Sequence, residues 1–342
     1  MSADQEIEAK AAEAGADEGT RRAIGFRATL LHILSVHGLL VFGVFLIVVF
    51  SILLPGTFTG VQTFRAILGN NTTVALLALA EMLVIATGNY DLSIAYNVGL
   101  MHIVAMGLLT DANVPWPLVV VITVAAGGFV GWINGILVEY GRIDSFIATL
   151  GVGTMLYGLG AWYTNGTQLV GNVPLAFANI NDAKFAGIPL PTFMVATVAV
   201  LAWICLEHVP TGRRLYAIGS NRRAAELTGI PARRLVMGAF VCSGLIVGLA
   251  GVILAARLQV AQSSVGPEFL LPAFVGALLG ATTVRPGRVN AWGTIIAVLV
   301  LAVGIAGLQQ LGNSFFVEPI FQGAALVISV GLAGYAARRR RR

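Results

Sequence analysis

The chain has 342 residues, of which 57% are hydrophobic and only 11% charged, with 41 glycines and a mean hydropathy of +0.85. A soluble domain carries about 25% charged residues, so lipid rather than water is the solvent for most of this chain, which reads as an all-α integral membrane protein. The net charge of +5 comes from basic residues interleaved with apolar runs, not gathered on one soluble face, which argues against a nucleic-acid surface.

Residues 1–30 are acidic and alanine-rich at first and then carry Arg21, Arg22 and Arg27. They lack the basic start and small-residue cleavage site of a secretory signal and read as a disordered cytoplasmic tail. Runs long enough to cross roughly 30 Å of hydrocarbon follow at 32–54, 64–88, 93–110, 116–138, 146–163, 190–208, 235–256, 268–284, 289–309 and 317–337. The 268–284 run is short enough to be re-entrant. About ten transmembrane helices are therefore expected in a membrane domain over 31–337, followed by a basic tail, 338–342.

With the N-terminus inside, 18 of the 21 Lys and Arg residues are cytoplasmic and only Arg65, Lys184 and Arg257 lie outside. That asymmetry predicts cytoplasmic N- and C-termini in a prokaryotic-type inner (plasma) membrane, with lipid as the main surrounding partner. Residues 62–163 and 236–337 carry four runs each in comparable order, the pattern of a possible internal repeat around a central pathway.

Glu81, Asp91, His102 and Glu139 fall in or beside apolar runs, where an ionised side chain is costly unless it faces protein or water. Glu81, in mid-run, is a candidate for lining a hydrated path. Asp91 either lines the same path or caps the helix that begins near Leu92, and Glu139 is expected beside Arg142. Asn89, Ser93, Asn97 and Asn134 complete the candidate pathway set. Neutral hydrogen-bonding groups of this kind suit a hydroxyl-rich solute and also hold helices together. His102 has no second histidine nearby for a metal site and reads as an interior residue.

The series Gly127, Gly131 and Gly135, with Gly244 and Gly248 and with Gly276 and Gly280, repeats every fourth residue and marks close-packing helix faces. Packing inside one subunit is the plainer reading of each. Cys205 and Cys242 are too few for a disulfide framework and read as buried thiols.

The loop over 210–234, PTGRRLYAIGSNRRAAELTGIPARR, sets six arginines around a short helical pattern from Asn221 to Leu227. Asn221 suits its N-cap and Gly229 a left-handed stop. A two-turn helix is unstable alone in water, so it rests on its own bundle, on another protein or, as a basic loop, on anionic headgroups.

Four patches together resemble the ribose-type permeases of ATP-binding-cassette importers, a family that includes galactose, arabinose and xylose uptake subunits. The first is the 210–234 segment. The second is NGILVEYGRIDSFIATLGVGTMLYGLG over 134–160, where Asn134, Gly135, Ile143, Phe146, Ile147, Thr149, Leu150 and Gly151 match. The third is VIATGNYDLSIAYNVGL over 84–100, where Thr87, Gly88, Asp91, Leu92 and Ser93 match while Asn89, Tyr90, Ala95 and Tyr96 depart. The fourth is GATTVRPGRVNAWGT over 280–294, with Arg285 and Pro286 unusual, and Leu271 and Pro272 stand where the family commonly has an acidic residue.

The resemblance implies that Gly219, Asn221, Ala224, Ala225, Leu227, Gly229 and Ile230 transmit ATPase closure to the membrane helices, with Arg222 and Glu226 as polar contacts. It also implies a separate ABC ATPase subunit, an extracytoplasmic solute-binding protein and a second permease copy in a homodimer. The cargo it implies is a monosaccharide or polyol-like solute. The only lysines, Lys10 and Lys184, follow no glycine-rich turn, so this chain has no phosphate-cradling loop of its own, and ATP and Mg belong to the partner. Branched-chain amino acids, nucleosides or a signalling molecule remain alternative cargoes. An ion-coupled carrier using Glu81 or Asp91, and an intramembrane enzyme built on Ser243 and His102, are the readings from other classes.

Overall fold

The computed structural model describes residues 38–312, 316–325 and 327. The tails over 1–30 and 338–342 and most of the run over 317–337 lie outside those residues. The first apolar helices are α1 (Gly38–Leu53), α2 (Val61–Asn70) and α3 (Thr72–Ile85). The sequence run at 64–88 is not one straight helix, because α2 and α3 meet at 43°. At the break the Asn71 side chain donates to the Ile67 carbonyl at 2.9 Å and Thr72 Oγ1 to the Gly69 carbonyl at 2.9 Å, so local side chains take the carbonyls that a continuing helix would use. The 14 residues of α3 rise about 21 Å, short of the roughly 30 Å hydrocarbon layer.

Then come α4 (Ile94–Thr110), α5 (Trp116–Glu139) and α6 (Ser145–Thr164), the last started by Asp144, whose carboxylate accepts from the Phe146 amide at 3.0 Å. The segment after α6 holds β1 (Leu169–Val170), α7 (Leu175–Asp182) and a hairpin of β2 (Lys184–Phe185) and β3 (Ile188–Pro189). α8 (Leu190–Trp203) runs into one π turn, Ile204–His208. α9 (Pro210–Ser220), α10 (Arg222–Leu227) and α11 (Ala232–Leu258) follow, then β4 (Val260–Ala261), which pairs antiparallel with β1. A 3-10 stretch, Ser263–Phe269, leads into α12 (Leu270–Gly280), and α13 is Ala291–Gln310.

Among the described residues six helices are long and apolar enough to cross a membrane, or up to seven if the bent α2–α3 pair is one span. The sequence suggested ten; α1 and α4 are apolar but shorter. The segment over 210–234 is also more ordered than a loop, since its first half is the 11-residue helix α9.

α3 is buried on all sides from Ala75 to Val84, as befits a helix apolar all round at the centre of a bundle. Its main neighbour α11 also lies against α5 along the glycine face. A Cβ on Gly127 would sit 2.5 Å from the Gly244 carbonyl oxygen, and one on Gly248 2.7 Å from Val124 Cα. The two backbones touch, so the glycine series serves packing within this subunit. Gly280 meets the Gly293–Thr294 backbone in the same manner, whereas Gly276 meets the Ala78 and Val298 side chains.

The cations sort to two ends. At the basic end Arg222 meets Glu139, Arg285 and Arg288 both meet Glu207, the Arg288 guanidinium lies 3.4 Å over the Tyr216 ring, and Tyr216 Oη donates to the Val289 carbonyl. At the other end Arg257 donates to the Asn70 carbonyl and the Arg65 guanidinium abuts Gly187.

His102 is interior, with Nδ1 3.1 Å from the Gly99 carbonyl oxygen and Nε2 3.0 Å from that of Val260. The cysteines are not the buried thiols that their apolar runs suggested. Cys242 is exposed and Cys205 half-buried, because an apolar run specifies an apolar neighbour, and lipid satisfies that as well as protein does.

Candidate functional site

Two sites meet at the basic end. One is the turn between α3 and α4, residues 86–93, made possible by Gly88 at φ +81°. The Asp91 amide donates to both carboxylate oxygens of Glu81, at 3.2 and 3.3 Å. Asp91 Oδ1 accepts from the Ser93 amide (3.0 Å), from Ser93 Oγ (2.6 Å) and from Asn134 Nδ2 (3.3 Å), which also donates to Ser93 Oγ at 2.7 Å. Asp91 is therefore not the cap that the sequence suggested, since the N-cap of α4 is Ser93 with no side-chain cap bond; its carboxylate instead folds the turn onto Ser93 and ties it to α5.

The turn is also sewn to α6. Thr149 Oγ1 accepts from the Leu92 amide at 3.0 Å, and Ser145 Oγ accepts from the Tyr90 amide at 3.2 Å. Glu81, Asp91, Ser93, Asn134 and Thr149 are all buried, and no basic side chain among the described residues pairs with either carboxylate. Four of the six candidate pathway residues are thus one hydrogen-bonded cluster. Asn97, one turn beyond Ser93, reaches the Gly127 carbonyl instead, at 3.4 Å. Asn89 is half-buried, donates to Thr87 Oγ1 at 2.9 Å, and lines an open polar cleft of ≈ 570 Å³ with Glu139, Arg142, Asp144, Arg222 and Arg233.

The second site is the α9–α10 corner. Asn221 Oδ1 accepts from the Ala224 amide at 3.0 Å, the expected N-cap, and Gly229 closes the segment at φ +82°. Ala225 and Ile230 face inward on a small core with Val84, Ile218, Val236 and Phe240, while Ala224, Glu226 and Leu227 face out. Leu227 is 83% exposed.

Gly219 packs against the other site: a Cβ there would lie 2.5 Å from the Ala86 carbonyl oxygen and 3.0 Å from the Gly88 nitrogen. The glycine allows α9 to touch the 86–93 turn backbone to backbone.

Arg222 is turned inward. Its guanidinium donates two bonds, 2.8 and 2.5 Å, to Glu139 at the end of α5, and a third, 3.1 Å, to Glu226 one turn along. The Glu139 side chain is fully buried and that of Arg222 is 41% exposed. Hydrogen bonding to Glu139 pushes the Arg222 pKa above its already basic value, so Arg222 stays charged. Glu139 was expected beside Arg142, which forms no ion pair with it here. Sequence reading missed this pair because 83 residues separate the partners. It also passed over Ser145, which carries no distinguishing pattern of its own, and noted Tyr90 only as a departure within the 84–100 patch.

Several known proteins are similar. The family described as branched-chain amino acid transport system / permease component matches residues 63–330. The ribose import permease protein of Bacillus subtilis (strain 168) is 32% identical over 289 residues, 84% of this chain and 89% of that protein. That of Escherichia coli (strain K12) is 32% identical over 289 residues, 83% of this chain and 89% of its own. The autoinducer 2 import system permease protein LsrD of Escherichia coli (strain SMS-3-5 / SECEC) is 30% identical over 262 residues, 75% and 79% respectively. No solved structure matches. A family match over most of the chain, on a bundle of membrane-length apolar helices, makes this chain a member of the branched-chain amino acid transport system permease family and a multi-pass protein of the bacterial inner membrane.

Proposed function

We propose that this chain is the membrane-spanning subunit of an ATP-binding-cassette importer for a monosaccharide or related polyol-like solute. A separate ATPase subunit supplies ATP hydrolysis with Mg, an extracytoplasmic binding protein delivers the solute, and a second copy of the permease completes the pathway. In this reading about ten spans cross the membrane, both termini and the basic end are cytoplasmic, and residues 31–337 form the transport domain.

The observation that carries the reading is α10. It is a six-residue helix, capped by Asn221 and seated through Ala225, that presents Leu227 outward on the basic end. An exposed leucine on a helix too short to persist alone is suited to a protein partner. Motion of α10 and α9 reaches the Glu81–Asp91–Ser93–Asn134 cluster directly, because Gly219 rests on the turn that carries Asp91. Glu81, Asp91, Ser93 and Asn134 are assigned to the solute path on this ground, with Asn89 and Asn97 as their neighbours on the turn and on α4, and the permease itself makes and breaks no covalent bond.

The test is co-purification of the tagged chain from mild detergent, followed by ATPase assay of what accompanies it. An ATPase that is lost on deleting residues 221–227, with membrane insertion intact, supports the reading. A stable chain without ATPase, in membranes whose uptake follows an ion gradient, sinks it in favour of an ion-coupled carrier.

A signalling-molecule cargo is the second reading, favoured by the bulky Asn89, Tyr90 and Tyr96 in the 84–100 patch and by the similarity to an autoinducer 2 permease. Tyr90 stacks with Phe274 at 6.3 Å and Tyr96 meets Tyr157 edge-on at 6.5 Å, an aromatic lining that narrows any path there. Uptake of labelled ribose, with and without competing autoinducer 2, distinguishes the two.

A further inference from the structure

The coupling corner touches the membrane bundle in two mechanically different ways. Gly219 meets the Ala86–Gly88 backbone by close contact alone. Such a contact transmits a push, because overlap is repelled steeply, but has no bond to oppose withdrawal of α9, which is resisted there only by the apolar burial of neighbouring Ile218 with Val84. The Arg222–Glu139 pair is a two-pronged, charge-assisted bond between α10 and the last residue of α5. It resists separation, since drawing Arg222 away leaves a fully buried carboxylate without its cation.

From Glu139 the connection continues inward. α5 is a single helix from Trp116 to Glu139, and Asn134, five residues before its end, holds both Asp91 and Ser93. α5 is also locked to α11 at the backbone contacts of Gly127 and Gly248. A pull on Glu139 is therefore delivered to the Asp91–Ser93 start of α4 and is not absorbed by side-chain repacking.

We infer that Glu139 is a positioning residue for transport: through Arg222 it is the tether by which outward movement of α10 draws α5 and the 86–93 turn back, complementing the push through Gly219. The inference rests on α10 being the ATPase-coupling helix. Arg222 accordingly serves the inside of the permease and not the ATPase surface, which is left to Leu227, Ala224 and Glu226.

The experiment uses the intact permease with its co-purified ATPase, in a background of Cys205→Ala and Cys242→Ala with Tyr90→Cys as reporter on the turn. Tyr90 is 41% exposed, so a maleimide can reach the position. The labelling rate is read without nucleotide and with ATP plus vanadate. The single variant Glu139→Gln leaves Arg222 without its counter-charge, so the pair Glu139→Gln with Arg222→Gln is made as well, which removes both charges and retains amide hydrogen bonding.

The double variant is expected to keep its melting temperature and to bind the ATPase within twofold of the reference. Its nucleotide-dependent change in labelling is expected to fall at least fivefold. A purely structural ion pair would move stability and leave the labelling response unchanged. A response within twofold of the reference in the double variant overturns the tether, as does a reference that binds ATPase but shows no nucleotide-dependent change at residue 90. A reference that carries no ATPase overturns the coupling assignment itself, and the tether with it.

Discussion

Gly219→Ala is the sharpest single-atom perturbation of the corner. The added Cβ would lie 2.5 Å from the Ala86 carbonyl oxygen and 3.0 Å from the Gly88 nitrogen, and separations under 3.0 Å are essentially never seen for real Cβ atoms. Both neighbours are backbone atoms of a turn already held by Ser145 and Thr149, so neither can rotate aside as a side chain could. The helix or the turn must shift by several tenths of an ångström, and overpacking of this kind costs about 1–3 kcal/mol. If that cost falls on the state in which α9 presses on the turn, the populations of the transport states change by about 5- to 150-fold, at 1.4 kcal/mol per factor of ten. ATP-driven uptake in proteoliposomes should fall correspondingly, while ATPase binding, which the proposed function assigns to the outer face of α10, should not. Gly238→Ala on α11 is the control, since nothing lies within 4 Å of a Cβ there. Equal uptake by Gly219→Ala and Gly238→Ala would refute the close-contact argument.

Other perturbations separate the parts of the site. Leu227→Asp should abolish ATPase co-purification and leave the detergent melting temperature unchanged, because an 83% exposed side chain contributes little to the fold. Asn221→Ala should lower stability by about 1 kcal/mol through loss of the cap and reduce coupling, measured as solute taken up per ATP hydrolysed. Asn134→Ala leaves buried Asp91 and Ser93 each short of one donor and should cost about 1–3 kcal/mol, read as a lower melting temperature with expression retained. Gly127→Leu should prevent folding outright, because it drives a side chain into the Gly244 and Gly248 backbone, and protease resistance of the membrane-embedded chain is the readout.

What the sequence makes legible is what neighbours in sequence decide. The Asn221 cap, the φ +82° stop at Gly229 and the glycine faces of α5 and α11 follow from spacing alone, and all are found as expected. The break at Asn71 was not legible, because an asparagine in an apolar run reads equally as an interior polar group, and only its bond to the Ile67 carbonyl shows the bend. The Glu139–Arg222 pair was hidden for a different reason. Nothing near Glu139 in sequence selects between Arg142 and an arginine 83 residues away until the packing of α9 and α10 brings the second one in. The candidate polar residues were visible as a set, yet which of them share hydrogen bonds depends on the α4–α5–α6 arrangement. That arrangement unites Glu81, Asp91, Ser93 and Asn134 and leaves Asn89 and Asn97 to other partners.

The backbone contact between α5 and α11 limits which parts of the bundle can move. Helices separated by long side chains can slide by rotamer changes, each cheap and reversible. Where a Gly127 methyl would already overlap the Gly244 carbonyl, there is no such cushion, and any relative slip meets main-chain atoms. The pair therefore behaves as one stiff strut across the membrane. Flexure is left to segments whose backbone is not in a continuous α-helix: the bend at Asn71, the 86–93 turn and the 3-10 stretch before α12.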